Sequence, residues 1–428
     1  MPGAPRGGPA VYLVAAVAGC VVGLVGASFR WCLVRAQELH GSLLSASERL
    51  GGPGWLIPVL TTAAGAAVAC AVAQRVPLAA GSGIQDVEAV WRGEREPRPF
   101  LWLLPAKFVG GVIAMGSGLV LGREGPTVHM GAAIGAEAGR RTRMSPRDVT
   151  LLHTSLAGAG LAVAFTAPLS GVVFVCEEVT KVVRTRVVLL TLIGTATAVG
   201  CSELIVGDRP VFQVPAALAG PPVALLPAFL LFGAATGVLG AAYNRLVIGF
   251  LDLPDRVTRI GPVARAALIG AVVGLLISID PFLGSGGDEL SGRLLGGDLP
   301  VGTVLAGYLV VRFVAGPLSY AAGTPGGLFA PVLALGAVWG ALVHGLALPL
   351  LPGGGSGAVP FAIVGMAALF SAVVRAPVTG ITLVVEMTGT TSLVVPLFAA
   401  CFAATLTADR MGSMPVYDSL RLRMAKPS

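Results

Sequence analysis

Residues Gly122-Arg123-Glu124-Gly125-Pro126 put a carboxylate between glycines, with an apolar stretch on either side long enough to lie in a membrane. A carboxylate in hydrocarbon costs several kcal/mol, so an intramembrane Glu is a functional residue by default. Leu119-Val120-Leu121-Gly122 leads in, and Thr127 to Gly135 leads out with apolar residues at helical spacing. The pattern predicts a helix that starts inside the protein. Proline is tolerated in a first turn, and the unpaired N–H groups there favour a negative charge.

Of the 428 residues, 55% are hydrophobic and 12% charged, against roughly 25% charged in a soluble domain. An integral membrane protein is expected. The 60 Gly and 31 Pro sit inside apolar segments, which points to close-packed, interrupted helices rather than disorder. The formal charge of +7 comes without a basic tract interleaved with aromatics. It therefore reads as loop orientation across a bilayer, and no nucleic-acid partner is expected. Cys20, Cys32, Cys70, Cys176, Cys201 and Cys401 are isolated in apolar sequence and read as small buried hydrophobes. His40, His129, His153 and His344 lack zinc-site spacing, so neither a metal nor a cofactor is expected.

Apolar segments run over about 10–34, 55–74, 101–121, 127–138, 149–166, 169–176, 187–205, 222–251, 262–279, 301–316, 327–350, 358–374, 376–387 and 391–407. Several fall short of the ~20 residues that cross hydrocarbon. Such half-length helices are tolerated only where their ends are buried in protein or line a cavity. The chain also repeats itself. Ala167-Pro168-Leu169-Ser170-Gly171 through Glu177 is echoed by Ala376-Pro377-Val378-Thr379-Gly380 through Glu386 at an offset of 209. Pro126, Gly131 and Gly135 are echoed by Pro331, Gly336 and Gly340 at 205, and Gly81-Ser82-Gly83 by Gly284-Ser285-Gly286 at 203. Two halves of about 200 residues with interrupted helices are the sequence sign of a transporter built from repeats, with its substrate site between them.

Four segments suggest a pocket for a small anion. Gly81-Ser82-Gly83-Ile84-Gln85 precedes a short helical stretch through Trp91. Its amides and hydroxyl suit an anion, and equally suit an ordinary Ser N-cap beside glycine hinges. Gly326-Gly327-Leu328-Phe329-Ala330-Pro331 is the second-half counterpart of the Glu124 segment, with Phe329 where Glu124 stands. Glu177 and Glu178 end an apolar stretch, with Lys181 within a helical turn as their expected partner. Since Glu386 has no second carboxylate beside it, Glu178 is the added feature and the candidate for handling protons, and Glu177 the structural residue. Tyr417 follows the last apolar segment, where a lone Tyr is ordinarily an interfacial anchor.

Together these motifs resemble the CLC chloride channels and chloride/proton antiporters across nearly the whole chain, in family order and spacing. The prokaryotic type, without large regulatory domains, is the nearer match. The resemblance implies an all-α polytopic membrane protein of many tilted, interrupted helices in two antiparallel repeats, here 1–206 and 207–410. A short segment, 411–428, would bring Tyr417 to the pore. It implies a homodimer in the cell membrane with a pore in each subunit. It places a chloride ion against Ser82, Gly83 and Ile84, the amides of Leu328 and Phe329, and Tyr417. Glu124 matches the gating glutamate, supported by Gly122, Arg123, Gly125 and Pro126. Glu178 matches the inner proton glutamate of the antiporters, and Lys107 a lysine near the pathway. Gln85 departs from the Pro usual at that position, while Ser82 implies chloride rather than nitrate.

The mechanism this implies is competition for one site. Ionised Glu124 is itself an anion; protonation lets it leave and a halide enter, and Glu178 passes protons inward. Chloride/proton antiport is the expected function. The rival on the same fold is a passive voltage- or pH-gated chloride channel, and Ser82 with Tyr417 argues against a fluoride exporter. A remote reading from another class is an intramembrane hydrolase using Ser356 of Gly354-Gly355-Ser356-Gly357, with His344 nearby. That match falls in a Pro/Gly loop and carries little chemistry. No enzymatic activity is expected.

Overall fold

The computed structural model describes residues 8–49, 52–97, 100–207, 211–215, 218, 220–256, 260–298, 300, 302–347 and 357–425. Seventeen α-helices account for almost all of their regular structure, in the order α1 (Ala10–Arg49), α2 (Leu56–Arg75), α3 (Ile84–Trp91), α4 (Phe100–Gly116), α5 (Glu124–Arg141), α6 (Pro146–Phe165), α7 (Pro168–Phe174) and α8 (Thr185–Val206). The second half follows with α9 (Leu226–Arg256), α10 (Pro262–Ile279), α11 (Asp288–Gly296), α12 (Gly302–Tyr320), α13 (Phe329–Ala347), α14 (Ala358–Val374), α15 (Pro377–Thr388), α16 (Val394–Arg410) and α17 (Val416–Ala425). Eight of the described helices are long and apolar enough to cross a membrane, so this is a multi-pass membrane protein. The short polar helices α11 and α17 had no counterpart among the apolar segments, and α1 runs on to Arg49 rather than ending near residue 34.

Helices α6 and α14 are buried along nearly their whole lengths. Each packs against a helix whose spaced glycines let backbone meet backbone. A Cβ on Gly131 or Gly135 of α5 would come within 2.3 and 2.4 Å of the Leu156 and Leu152 carbonyls on α6. On Gly336 and Gly340 of α13 it would come within 2.4 and 2.0 Å of the Gly365 and Phe361 carbonyls on α14. The glycine echo at an offset of 205 is thus the same close approach made twice, which small residues permit.

The orientation of the two halves is fixed by a reciprocal pair of caps. Pro168 and Pro377 open α7 and α15, where their missing N–H costs nothing. Glu177, beyond the end of α7, accepts from the amides of Val378 (3.0 Å) and Thr379 (2.6 Å) and from the Thr379 hydroxyl (2.7 Å). Glu386, near the end of α15, accepts from the amides of Leu169 (3.0 Å) and Ser170 (2.7 Å) and from the Ser170 hydroxyl. The end of each helix lies at the start of the other, so α7 and α15 run antiparallel about a local two-fold. One difference breaks the symmetry: α7 continues as a π-helical turn, Val175–Val179, holding Glu177 and Glu178, whereas α15 runs on as regular helix through Glu386. Extra-residue turns of this kind recur at functional sites.

Cys70 and Cys401 are buried, but the other four cysteines are only partly covered, as expected of small side chains on helices with a lipid-facing side.

Candidate anion and proton site

Two helices begin where the halves meet. Gly122 and Gly327 exchange backbone hydrogen bonds at 2.8 Å in both directions, and two residues later α5 starts at Glu124 and α13 at Phe329. Their first turns present unpaired amides and the positive ends of two dipoles to the same region. Glu124 is fully buried there. Its Oε2 accepts from the Ala330 amide at 3.4 Å, across from its own helix, while Oε1 has no partner among the described residues. The flanking glycines are required by space. A Cβ at Gly122 would lie 2.2 Å from Glu124 Oε2, and one at Gly125 would lie 2.2 Å from Ser82 Oγ.

Ser82 precedes α3 in a loop paired to the other half, since the Gly81 amide donates to Thr324 O (3.0 Å) and the Gly326 amide to Gly81 O (3.2 Å). The Ser82 amide donates to the Tyr320 hydroxyl at 3.3 Å, leaving Ser82 Oγ buried and without a partner. The side chain does not cap α3, whose N-cap is Gly83 at φ +90°. Of the two sequence readings, the capping one is therefore set aside. Ile84 is buried at the start of α3, and Gln85 is buried behind it. Lys107, also buried, donates to Ala79 O (3.1 Å) and Gly81 O (2.8 Å); its charge steadies this loop's carbonyls.

Tyr417 is 1% exposed and its ring lies against Phe329, 5.7 Å between centroids. It is therefore no interfacial anchor. Its hydroxyl neighbours that of Ser82 and feels the charges of Glu178 and Glu124. Leu328 and Phe329 are buried alongside. Glu178 is buried with Oε1 unpartnered. An unpaired buried polar atom ordinarily costs about 1–3 kcal/mol. Ser82 Oγ, Glu124 Oε1, Glu178 Oε1 and Tyr417 Oη are buried polar atoms of this kind among the described residues.

Arg123 turns away from Glu124. It donates to Ala164 O (3.2 Å) and pairs with Asp288 at 3.0 Å. Pro126 lies in the first turn of α5. The expected pairing of Lys181 with Glu177 and Glu178 is not what holds the lysine. Its ammonium lies 2.7 Å from Asp418, on α17, because the π-helical turn carries Glu177 to the α15 cap and leaves Lys181 facing the C-terminal helix. His344 packs against the Phe361 ring at 5.5 Å, and Gly354, Gly355 and Ser356 lie outside the described residues.

A family model described as voltage gated chloride channel matches residues 64–409. The chain belongs to the voltage gated chloride channel (CLC) family. The chain is 36% identical over 427 residues to a protein of Citrobacter koseri named H(+)/Cl(-) exchange transporter ClcA, covering 97% of this chain and 88% of that one. It is 37% identical over 426 residues to the protein of the same name from Vibrio parahaemolyticus, at 97% and 90% coverage. The fold is similar to a solved structure titled as a slow cyanobacterial Cl-/H+ antiporter, with a TM-score of 0.92, 29% identity and coverage of 97% and 98%.

Within this CLC chain, several charged residues beside the site escaped the sequence reading. Arg312, 2% exposed, donates to the carbonyls of Phe282 (2.6 Å), Gly284 (2.7 Å) and Ser285 (3.0 Å). It steadies the second Gly-Ser-Gly loop as Lys107 steadies the first. Its position, 205 residues after Lys107, was a legible signal. Asp288 also lines a cavity of about 260 Å3 with His40, Ser285 and Arg312. Asp86, with His129 Nε2 at 3.4 Å, and Glu88 are buried on α3; polar residues on a short helix gave no such signal.

Proposed function

We propose that this chain exchanges chloride for protons across the membrane, with Glu124 and a chloride ion alternating in one site. The observation that carries the reading is Glu124 Oε2 turned to the Ala330 amide, between the starts of α5 and α13 and beside the unpartnered hydroxyls of Ser82 and Tyr417. A site that stabilises a carboxylate with helix amides suits a halide equally. Ionised, Glu124 competes with chloride; protonated, it gives way. The chloride would rest against Ser82, Gly83, Ile84, Leu328, Phe329 and Tyr417. Glu178 would exchange protons with the inner solution. Gly122, Gly125 and Pro126 shape the turn, and Lys107 and Arg123 hold its surroundings.

The names of the bacterial relatives support the same reading. We further propose two repeats, 1–206 and 207–410, with 411–428 completing the pore, a homodimer, and a place in the cell membrane of a prokaryote. The role is transport rather than catalysis. The test is chloride efflux from liposomes holding the purified protein, with simultaneous recording of external pH. Chloride leaving with protons entering against their gradient is the expected result. Chloride flux that ignores a pH gradient would overturn exchange in favour of a passive channel.

A further inference from the structure

Three elements are joined by one lattice of charges. Lys181 follows Glu178 by three residues, in the turn that closes the π-helical segment, with φ +54°. The Thr180 hydroxyl sits in that turn within hydrogen-bond reach of Val175 O (2.9 Å) and Val182 O (2.8 Å), with one proton to donate to either. Lys181 Nζ lies 2.7 Å from Asp418 Oδ2 and 3.5 Å from Glu88 Oε1. Asp418 is the residue after Tyr417, and it also meets Arg421 at 3.3 Å and Arg92 at 3.7 Å. Glu88, 1% exposed, takes Arg92 at 2.8 Å and Arg421 at 3.5 Å. It lies on α3, whose leading loop carries Ser82. The lattice thus ties together the elements bearing Ser82, Tyr417 and Glu178.

Lys181 is placed to feel both sides. Burial works against its charge, but the hydrogen bond to Asp418 and the carboxylates of Glu178, Glu88 and Asp418 hold the ammonium above its usual range. The charges acting on Glu178 are those of Lys181, Glu88, Asp418 and Glu177, and Lys181 is the cation in that set. Within the set, Glu177 is committed to the α15 cap, and Asp418 lies nearer to Lys181 than Glu88 does, 2.7 Å against 3.5 Å.

We propose that Lys181 and Asp418 form a positioning clasp between the proton glutamate and the tyrosine of the anion path. An ionised Glu178 competes with Asp418 for Lys181; loss of the Lys181–Asp418 pair leaves Asp418 to Arg421 and Arg92, loosens the tie between the π-helical turn and α17, and lets Tyr417 shift from Phe329 and Ser82. Proton loss at Glu178 and opening of the inner anion path are then one linked event, with the linkage running through Lys181. Neither clasp residue touches the anion. The inference rests on the exchange reading above.

The test uses the purified full chain in liposomes, recording chloride efflux and external pH together. In Lys181→Met and in Asp418→Asn, protons moved per chloride are expected to fall at least about fivefold, the low end of measured couplings between sites, while chloride still passes. The double variant should lose no more coupling than the worse single, since the two residues act as a unit. Lys181→Arg and Asp418→Glu, which keep the charges, should retain coupling. An unchanged ratio in either neutral single, additive loss in the double, or equal loss in the charge-keeping variants would each overturn the clasp. Should wild type carry chloride with no proton movement, the exchange reading fails separately. The clasp is then judged on chloride flux alone, which Lys181→Met should raise and which, if unaltered, overturns it.

Discussion

Glu177 and Glu386 each cap the helix that carries the other. Glu177 receives the first amides of α15 and Glu386 those of α7, so the two carboxylates clamp an antiparallel helix pair about a two-fold. About that axis some positions match between the halves and others do not. Gly122 faces Gly327 and Lys107 has its match in Arg312, but Glu124 has Phe329 opposite it and Glu178 has no acidic partner at all.

Replacing Glu124 by Gln removes the competing charge while keeping the shape. Chloride flux should persist and lose its dependence on pH, with proton movement at background. Proton pumping at the wild-type rate in this variant, recorded in liposomes, would defeat alternation at a single site.

Glu178→Gln should abolish proton movement while chloride still passes, because the inner step of the proton path needs an ionisable group. A reversal potential that still shifts with a pH gradient would remove Glu178 from its role.

The reciprocal caps are structural, so their loss should register in stability rather than in coupling. Glu386→Gln weakens hydrogen bonds to two helix-starting amides and should cost about 1 kcal/mol, in the range of lost N-caps. Thermal unfolding in detergent should fall by a few degrees with the ratio of protons to chloride intact. A changed ratio would mean that the cap also takes part in transport.

Arg312→Met strands the carbonyls of Phe282, Gly284 and Ser285, each buried acceptor costing about 1–3 kcal/mol. A loss of roughly 3 kcal/mol or more is expected, visible as a collapsed monodisperse peak on size exclusion, with Arg312→Lys recovering part of it. Wild-type stability in Arg312→Met would show that water replaces the guanidinium.

Lys181 and Asp418 should themselves keep their charges through the neutral range, so that pH acts on their tie only through the neighbouring glutamates. Burial pushes the Asp418 carboxyl up, but the hydrogen bond and charge of Lys181 and the bonds of Glu88 and Arg421 outweigh it and hold it below 3.8; Lys181 lies above 10.5. A depressed carboxyl contributes stability above its unfolded value and loses it only as pH falls through the folded one. A raised ammonium contributes below its unfolded value and loses it only as pH rises through the folded one. The difference in melting temperature between wild type and Asp418→Asn should therefore persist down to about pH 5. A difference that vanishes before that pH is reached would contradict the assignment of charges.

Hydropathy, the glycine-flanked Glu124 and the three echoes were enough to give a membrane-embedded, helical, twofold-repeated chain with helices starting inside it. Those properties are local, since apolar length and glycine spacing are set within a few turns of one segment. The echo of Gly131 and Gly135 in Gly336 and Gly340 showed a repeat, and the structure adds that these glycines are where α5 meets α6 and α13 meets α14 backbone to backbone. What the tertiary structure alone decided is which polar groups meet. Lys181 beside Glu177 and Glu178 reads as their partner, yet it bonds Asp418, 237 residues away. Tyr417 taken alone reads as a surface anchor and only the family resemblance brought it to the pore; it is buried on Phe329. The reason is that a charged or hydroxyl side chain looks the same in sequence whether water or a distant helix satisfies it. In a bilayer those partners must come from the protein itself, so only the folding of one half against the other assigns them.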